Sequence, residues 1–443
     1  MQISIRPNEM TLQSRPTAMV LGYAPSSTRR QVLLLTLLAM SICLYVQKNV
    51  FLASQLHRND FKHLYIAAFL VGHGSDLYDA KWAFWAKDKI QIPGGLNPFV
   101  YPPFMAVLTK PLAWFSYDTA WYVWCGLNHV LLMLTLVLFC RLGPDTDLLA
   151  KLAAGAVLLT LFDPVFRTIS AGQFNVVLLF AFTLSLVLLR RDCPVAAGVV
   201  IGIVASAKVA PGLFLIPLLM IERRAFLAMI ASVCLCTGFA VAVSGLDQHL
   251  AYLRLMGQMS YGRSTWEDLG MTFHVEPANQ APSAVFYRLL TESPKTTPLF
   301  VSPAAAYILS VATAGVILGA ALVATYCRRD NQSLCFALWF YPMLLIPSLC
   351  WDHYFTQLLL PIWILGSAWK TQSPWRIVVF TVGVAILSVP YPFESEWWKT
   401  GIAILGASLK FFAALGLYML TLEQTIANAF ERRYSQPLHL SGT

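Results

Sequence analysis

Apolar segments long enough to cross a bilayer recur along almost the whole chain, and they limit what it can fold into more than any other feature. Segments of roughly 17 to 25 apolar residues are needed for one crossing. Such segments lie at 31–53, 120–140, 174–190, 225–245, 303–327, 333–349, 353–369, 374–390 and 400–421, with shorter ones at 148–162, 194–207 and 209–221. Since 57% of the residues are hydrophobic and only 12% are charged, a water-soluble domain is excluded. The sequence predicts an all-α polytopic membrane protein.

Basic residues at the ends of these segments predict the topology, because cytoplasmic loops carry an excess of Lys and Arg. They all fall on one side if 103–117 does not cross, and Pro102, Pro103 and Pro111 favour a re-entrant half-helix there. We therefore expect about 12 transmembrane helices in a single integral-membrane domain at 31–425, with cytoplasmic tails at 1–30 and 426–443. The basic positions are Arg29 with Arg30, Arg141 with Lys151, Arg190 with Arg191, Arg223 with Arg224, Arg328 with Arg329, Lys370 with Arg376, and Arg432 with Arg433.

The same topology places the polar loops together on the extracytoplasmic face. These are the first loop at 54–102, the long loop at 246–302, and the short segments 163–173, 351–353 and 391–399. The net charge of +9 is spread over the cytoplasmic loop ends, which indicates attraction to anionic membrane lipids and argues against nucleic acid as a partner.

No cofactor is expected from the sequence. The nine cysteines are scattered, and neither a Cys-x-x-Cys pair nor a nucleotide-binding glycine loop is present. The one Asp-x-Asp sequence, at Asp145 and Asp147, falls in a loop assigned to the cytoplasm, so no metal site is expected at the extracytoplasmic face.

Asp60 is the candidate catalytic residue. It follows the first apolar segment directly, where even partial burial of a carboxylate costs desolvation energy and suggests a function. An alternative is that Asp60 caps an interfacial helix over about 61–70.

The other candidates are polar residues that the topology brings to the same face. Lys208, between two short apolar segments, could meet a phosphate or could extend to the interface. His353 begins a segment at the aqueous mouth, although a lone histidine is more often structural. Capping of a helix is the alternative for the residues from 167 to 175. The further candidates are Tyr65, Arg167, Gln173, Asn175, Asn279 and Arg288.

The order of these pieces resembles glycosyltransferase family 87, a family of GT-C membrane enzymes, over roughly residues 55–370. The resemblance rests on an ordered set of short sequences, each weak alone. They are Asn59-Asp60-Phe61 with Tyr65, Leu77-Tyr78-Asp79, Tyr101-Pro102-Pro103-Phe104, Gly172-Gln173-Phe174-Asn175, Lys208 before Pro211, Asn279-Gln280 and His353-Tyr354. One departure is Ala281, where the family commonly has serine after Asn-Gln.

The resemblance implies an inverting transfer of a sugar, mannose-like, from a polyprenyl-phosphate carrier to a lipid or glycan acceptor. Asp60 would be the general base, and cations such as Lys208, Arg167 and Arg288 would hold the leaving phosphate. His353 would bind sugar or phosphate. Two other functions share this topology: a transporter or flippase of a lipid-linked sugar, and a polymerase or ligase of lipid-linked glycans. The sequence supports the transporter less, because we find no similarity between its two halves.

Overall fold

The chain folds as a bundle of α-helices. The computed structural model describes residues 27–56, 58–143, 147–329, 331–367 and 373–435, and its regular structure there is helical apart from two isolated bridges. The helices of the N-terminal half are α1 (Ser27–Tyr45), α2 (Asn59–His73), α3 (Ala80–Ile90), α4 (Pro103–Thr109), α5 (Tyr117–Leu142), α6 (Leu148–Leu161), α7 (Asp163–Ala171), α8 (Asn175–Arg190) and α9 (Pro194–Ala207). Those of the C-terminal half are α10 (Leu215–Ile221), α11 (Arg223–Ser244), α12 (Leu246–Gln258), α13 (Pro282–Leu290), α14 (Pro303–Cys327), α15 (Gln332–Leu338), α16 (Phe340–Leu345), α17 (Leu359–Ser367), α18 (Pro374–Ser388) and α19 (Leu409–Ser435). The all-α prediction is confirmed for these residues.

Several of these helices are long and apolar enough to cross a membrane, which makes the chain a multi-pass membrane protein. Within the described residues there are five, or up to six if the bent pair α6 and α7 counts as one crossing. The predicted number of about 12 is not confirmed, because the other apolar helices have only 10 to 17 residues. The five are 28–55, 117–142, 223–244, 303–327 and 401–426.

Proline and polar residues break several segments that the sequence presents as continuous. The segment 333–349 forms two short helices, α15 and α16, and 353–369 begins with a 3-10 segment at Asp352–Leu358 before α17. Residues 103–117 contain the seven-residue α4 and a 3-10 turn, which are too short for a full crossing. The segment 163–173, expected as a loop, contains the helix α7, which meets α6 at an angle of 58° just before Pro164.

Parts of the sequence prediction lie outside the described residues. They include most of the two tails, Asp145 and Lys370. Asp147 is described, and its carboxylate caps α6 by accepting a hydrogen bond from the backbone N–H of Leu149.

Close helix contacts position the first loop against the bundle. Gly172 ends α7 with φ +75°, and a Cβ at this position would lie 2.5 Å from the Cβ of Phe61. Any larger residue would therefore force α2 away from the junction of α7 and α8. Because Asp60 lies in the first turn of α2, this contact brings it to the α7–α8 junction.

Candidate active site

A polar cavity of about 670 Å³ opens beside the first turn of α2. We call it the Asp60 cavity. Its volume is typical of small-molecule sites, which range over about 300–1,000 Å³. Four of the sequence candidates line it: Asp60, Arg167, Gln173 and His353.

The Asp60 carboxylate faces this cavity between two histidines. Its oxygens lie 3.8 Å from Nε2 of His353 and 3.9 Å from Nδ1 of His63, which is beyond hydrogen-bond distance. Nε2 of His353 and both ring nitrogens of His63 have no hydrogen-bond partner among the described residues. Burial, the largest cause, lowers the pKa of both histidines and so favours their neutral forms. The N-cap position of α2 is occupied by Arg58, and Asp60 lies inside the first turn of the helix.

A neutralised group of four charges lies behind His353. We call it the Lys410 network. Nζ of Lys410 lies 2.8 Å from Asp163 and 3.5 Å from Asp352, and Nε of Arg167 lies 2.8 Å from the same oxygen of Asp352. Lys410, Asp163 and Asp352 are almost completely buried, whereas the side chain of Arg167 is 36% exposed at the Asp60 cavity. The two carboxylates and the two cations balance in charge. This network fixes the 3-10 segment that carries His353 against α7 and α19.

Lys208 is a buried lysine in a different environment. Its Nζ donates to Oδ1 of Asn175 at 3.2 Å and lies 3.6 Å from the ring centroid of Tyr354, with no carboxylate in ion-pair distance among the described residues. Burial lowers the pKa of Lys208 to about 7, and the nearby charge of Asp60 opposes this shift only in part. An anion placed here would restore the full charge of the ammonium.

Lys208 lines an apolar cavity of about 280 Å³ that adjoins the Asp60 cavity. The two share Val100, Tyr101, Leu349 and Tyr354. Its wall also contains three methionines, which adapt to irregular apolar ligands. They are Met256, Met259 and Met343.

The Gly172–Asn175 segment connects these parts. Gln173 accepts a hydrogen bond from the hydroxyl of Tyr101 at 2.9 Å, and Phe174 stacks on Trp124. Asn175 is fully buried; its Nδ2 donates to the carbonyl of His353 and its Oδ1 accepts from Lys208. Asn175 therefore does not line the cavity but orients two candidates that face a ligand.

Three sequence candidates lie away from both cavities. The hydroxyl of Tyr65 donates to the carbonyl of Phe115. Oδ1 of Asn279 accepts a hydrogen bond from the backbone N–H of Cys350 at 2.9 Å, which holds the loop before Trp351. Arg288 is fully buried and donates to the carbonyls of Glu276 and Asn279 and to the hydroxyl of Ser408, so its contacts are structural.

Some residues at the site were not among the sequence candidates. His63 could have been found, because Asp60 and His63 at spacing i, i+3 share one helix face. Lys410 could also have been noticed, as a lysine inside the apolar segment 400–421. Asp163 and Asp352 are far from Lys410 in sequence, and no local pattern indicates that they meet.

The arrangement combines a carboxylate without a fixed partner, a cation without a counter-ion and an adjoining apolar cavity. A carboxylate with these neighbours can accept a proton from a bound hydroxyl, and the cation can stabilise a developing phosphate charge.

Comparison with known proteins decides the family. The sequence model of glycosyltransferase family 87 matches residues 99–350, more than half of the chain. The chain belongs to glycosyltransferase family 87. It is therefore a glycosyltransferase, and the expected family and enzyme class are confirmed.

Two curated proteins are similar to the chain over most of its length. A polyprenol-phosphate-mannose-dependent alpha-(1-2)-phosphatidylinositol mannoside mannosyltransferase of Mycobacterium tuberculosis H37Rv is 25% identical, covering 80% of this chain and 87% of that protein. A polyprenol-phosphate-mannose-dependent alpha-(1-2)-phosphatidylinositol pentamannoside mannosyltransferase of Mycobacterium tuberculosis CDC 1551 is 24% identical, covering 76% of this chain and 74% of that protein. No solved structure matches the chain.

Proposed function

We propose that this glycosyltransferase moves mannose from a polyprenyl-phosphate carrier to a lipid or glycan acceptor, with inversion at the anomeric carbon and Asp60 as general base. The named activity of the relatives supports the donor and the sugar. The observation that carries the proposal for the site is the unpaired Asp60 carboxylate in a cavity that adjoins Lys208.

In this reaction the acceptor oxygen attacks the anomeric carbon while the bond from that carbon to the phosphate oxygen breaks. The electron pair of that bond leaves with the polyprenyl phosphate. The hydroxyl proton passes to the Asp60 carboxylate, so the products are the new glycoside and the free carrier phosphate. Lys208 and Arg167 are our candidates for the phosphate, and His353, through its free Nε2, for a sugar hydroxyl.

The contacts divide the remaining candidates into supporting roles. Gln173 lines the cavity and holds Tyr101, and Asn175 orients Lys208. The contacts of Tyr65, Asn279 and Arg288 argue for structural roles, and we do not assign them to the substrate.

We place the site on the extracytoplasmic face of the cell membrane. In this topology about 12 segments cross, residues 103–117 form a re-entrant half-helix, and the domain spans 31–425. The distribution of Arg and Lys supports this orientation. We also propose that transfer needs no divalent metal, so that turnover in excess chelator should equal turnover without it; loss of turnover would contradict this.

The proposal is tested with purified protein in vesicles that contain radiolabelled polyprenyl-phosphate mannose. We expect the donor to lose its labelled mannose only when acceptor is present. The label should then appear in a product of inverted anomeric configuration. A transporter or flippase would instead move the labelled lipid between leaflets without acceptor and without breaking the glycosyl bond. That result would overturn the proposed chemistry.

A further inference from the structure

A second polar cavity, of about 570 Å³, lies next to the Asp60 cavity. We call it the Lys62 cavity. Leu56 lines both cavities, so the two adjoin at this residue. The transfer chemistry proposed above gives no role to the residues of this second cavity. Its polar wall contains Arg58, Lys62, Gln91, Ser116 and Asp118.

The first turns of α2 divide the two cavities. Asp60 and His63, at spacing i, i+3, face the Asp60 cavity, whereas Arg58 and Lys62, at spacing i, i+4, face the Lys62 cavity. Residues at these spacings lie on one helix face. A ligand that occupied both cavities would therefore pass the end of α2 within reach of both sets of side chains.

Lys62 is a cation with no counter-ion. The residue is only 8% exposed, and its ammonium forms no hydrogen bond or ion pair with a described residue. Burial is the main cause that lowers the pKa of Lys62, and the charges of Lys87 and Arg58 add to it. The ammonium also lies close to the backbone of Gly94, where an added Cβ would be 3.0 Å from Nζ.

Arg58 lines the same cavity as Lys62. Its guanidinium pairs with Asp118 at 2.5 Å and lies over the ring of Trp121 at 5.1 Å. Among the described residues that line the cavity, Asp118 is the one carboxylate, and it already pairs with Arg58. The cavity thus has an excess of positive charge, which is the environment that a phosphate group requires.

The position of the cavity indicates which phosphate it would hold. The Lys62 cavity and the apolar cavity of Lys208 share no lining residue, and each adjoins the Asp60 cavity through a different set of residues. In an inverting displacement the acceptor oxygen and the leaving phosphate lie on opposite sides of the anomeric carbon. If Lys208 meets the donor phosphate, the acceptor approaches from another side.

We propose that the Lys62 cavity binds a phosphate-bearing headgroup of the acceptor and so positions the acceptor hydroxyl beside Asp60. This inference rests on the proposed function, because it takes the donor phosphate to lie at Lys208.

The test compares two acceptors with radiolabelled polyprenyl-phosphate mannose as donor. Phosphatidylinositol mannoside carries a phosphodiester, and octyl α-mannoside is neutral. We expect Lys62→Gln to raise the KM of the phosphodiester acceptor about 10- to 100-fold, the range of one charge-assisted hydrogen bond. The KM of the donor and that of octyl α-mannoside should change less than about threefold, and Lys62→Arg should restore the phosphodiester KM.

Two further variants control for folding and for charge alone. Ser116→Asp adds a negative charge to the cavity while keeping a residue suited to cap α5, and it should raise the same KM. Lys89→Gln removes an exposed lysine that lines neither cavity and should change nothing. An unchanged phosphodiester KM in Lys62→Gln and Ser116→Asp, or an equal rise in the donor KM, would overturn the inference while leaving the proposed function intact. Failure of the unchanged protein to transfer mannose would instead overturn the proposed function.

Discussion

Lys208 and Lys410 are both buried near His353, yet what surrounds the two ammonium groups differs. Lys410 lies 2.8 and 3.5 Å from two carboxylates, whereas Lys208 contacts an amide oxygen and an aromatic ring. Removing one member of a buried group of paired charges leaves its partners without compensation and destabilises the fold. A buried charge with few partners destabilises the free protein and gains most from a ligand. Burial alone therefore does not identify a binding residue, and a buried cation that lacks a counter-ion is the stronger candidate.

The largest effect expected from this comparison is on stability, in Lys410→Met. The substitution leaves Asp163 and Asp352 with one cation between them, and we expect a loss of about 3 to 5 kcal/mol in the free energy of unfolding. Denaturant titration in detergent measures it. Lys399→Met, which breaks the exposed pair with Glu396, is the matched control and should cost less than about 1 kcal/mol. Equal stability of the two variants would show that the Lys410 network does not hold the site.

Lys208→Met should weaken donor binding without a loss of stability, in contrast to Lys410→Met. Because no carboxylate among the described residues pairs with Lys208, its removal should leave the unfolding midpoint unchanged or higher. Loss of one charge-assisted contact should weaken donor binding about 10- to 100-fold. The KM for polyprenyl-phosphate mannose measures this effect. A Lys208→Met variant that unfolds as readily as Lys410→Met and binds donor normally would contradict this contrast between the two lysines.

The smallest effect expected is a pH dependence of donor binding. The pKa of Lys208 is lowered to about 7 in the free protein, and a bound phosphate raises it. Below pH 7 the ammonium is already charged, so this group adds no pH dependence. Above pH 7 binding requires proton uptake, so donor affinity should fall by up to about tenfold per pH unit.

The control for this pH series is Lys208→Arg. A guanidinium stays charged over the whole range, so the variant should show a flat profile from pH 6 to 9. The same slope in the variant and the unchanged protein would assign the titration to another group.

The sequence predicts the site best where neighbouring residues share a helix face or a loop. Asp60 follows an apolar segment, Arg167 and Gln173 precede one and His353 starts one, and all four line one cavity. Asn279 and Arg288 belong to the long loop expected on the same face, but their side chains hydrogen-bond to backbone groups inside the protein, which depends on tertiary packing.

Pairings between distant residues could not be predicted. Lys410 and Asp163 are separated by 247 positions, and nothing local indicates that they meet. The fold follows the same rule: α14 occupies 303–327 as expected, because one apolar segment determines it. The breaks at 333–349 and 353–369 depend on how short helices pack around the cavity, so hydropathy alone presents them as continuous segments.

The most direct test of the account is the transfer rate of Asp60→Asn. The amide has the same shape as the carboxylate but cannot accept the acceptor proton, so we expect the rate with saturating donor and acceptor to fall roughly 10²- to 10⁴-fold. The KM for polyprenyl-phosphate mannose should stay within about threefold, since both histidines that face the Asp60 carboxylate, at 3.8 and 3.9 Å, lie beyond hydrogen-bond distance and the fold should be kept. A variant that transfers mannose at the normal rate would contradict the assignment of Asp60 as the base.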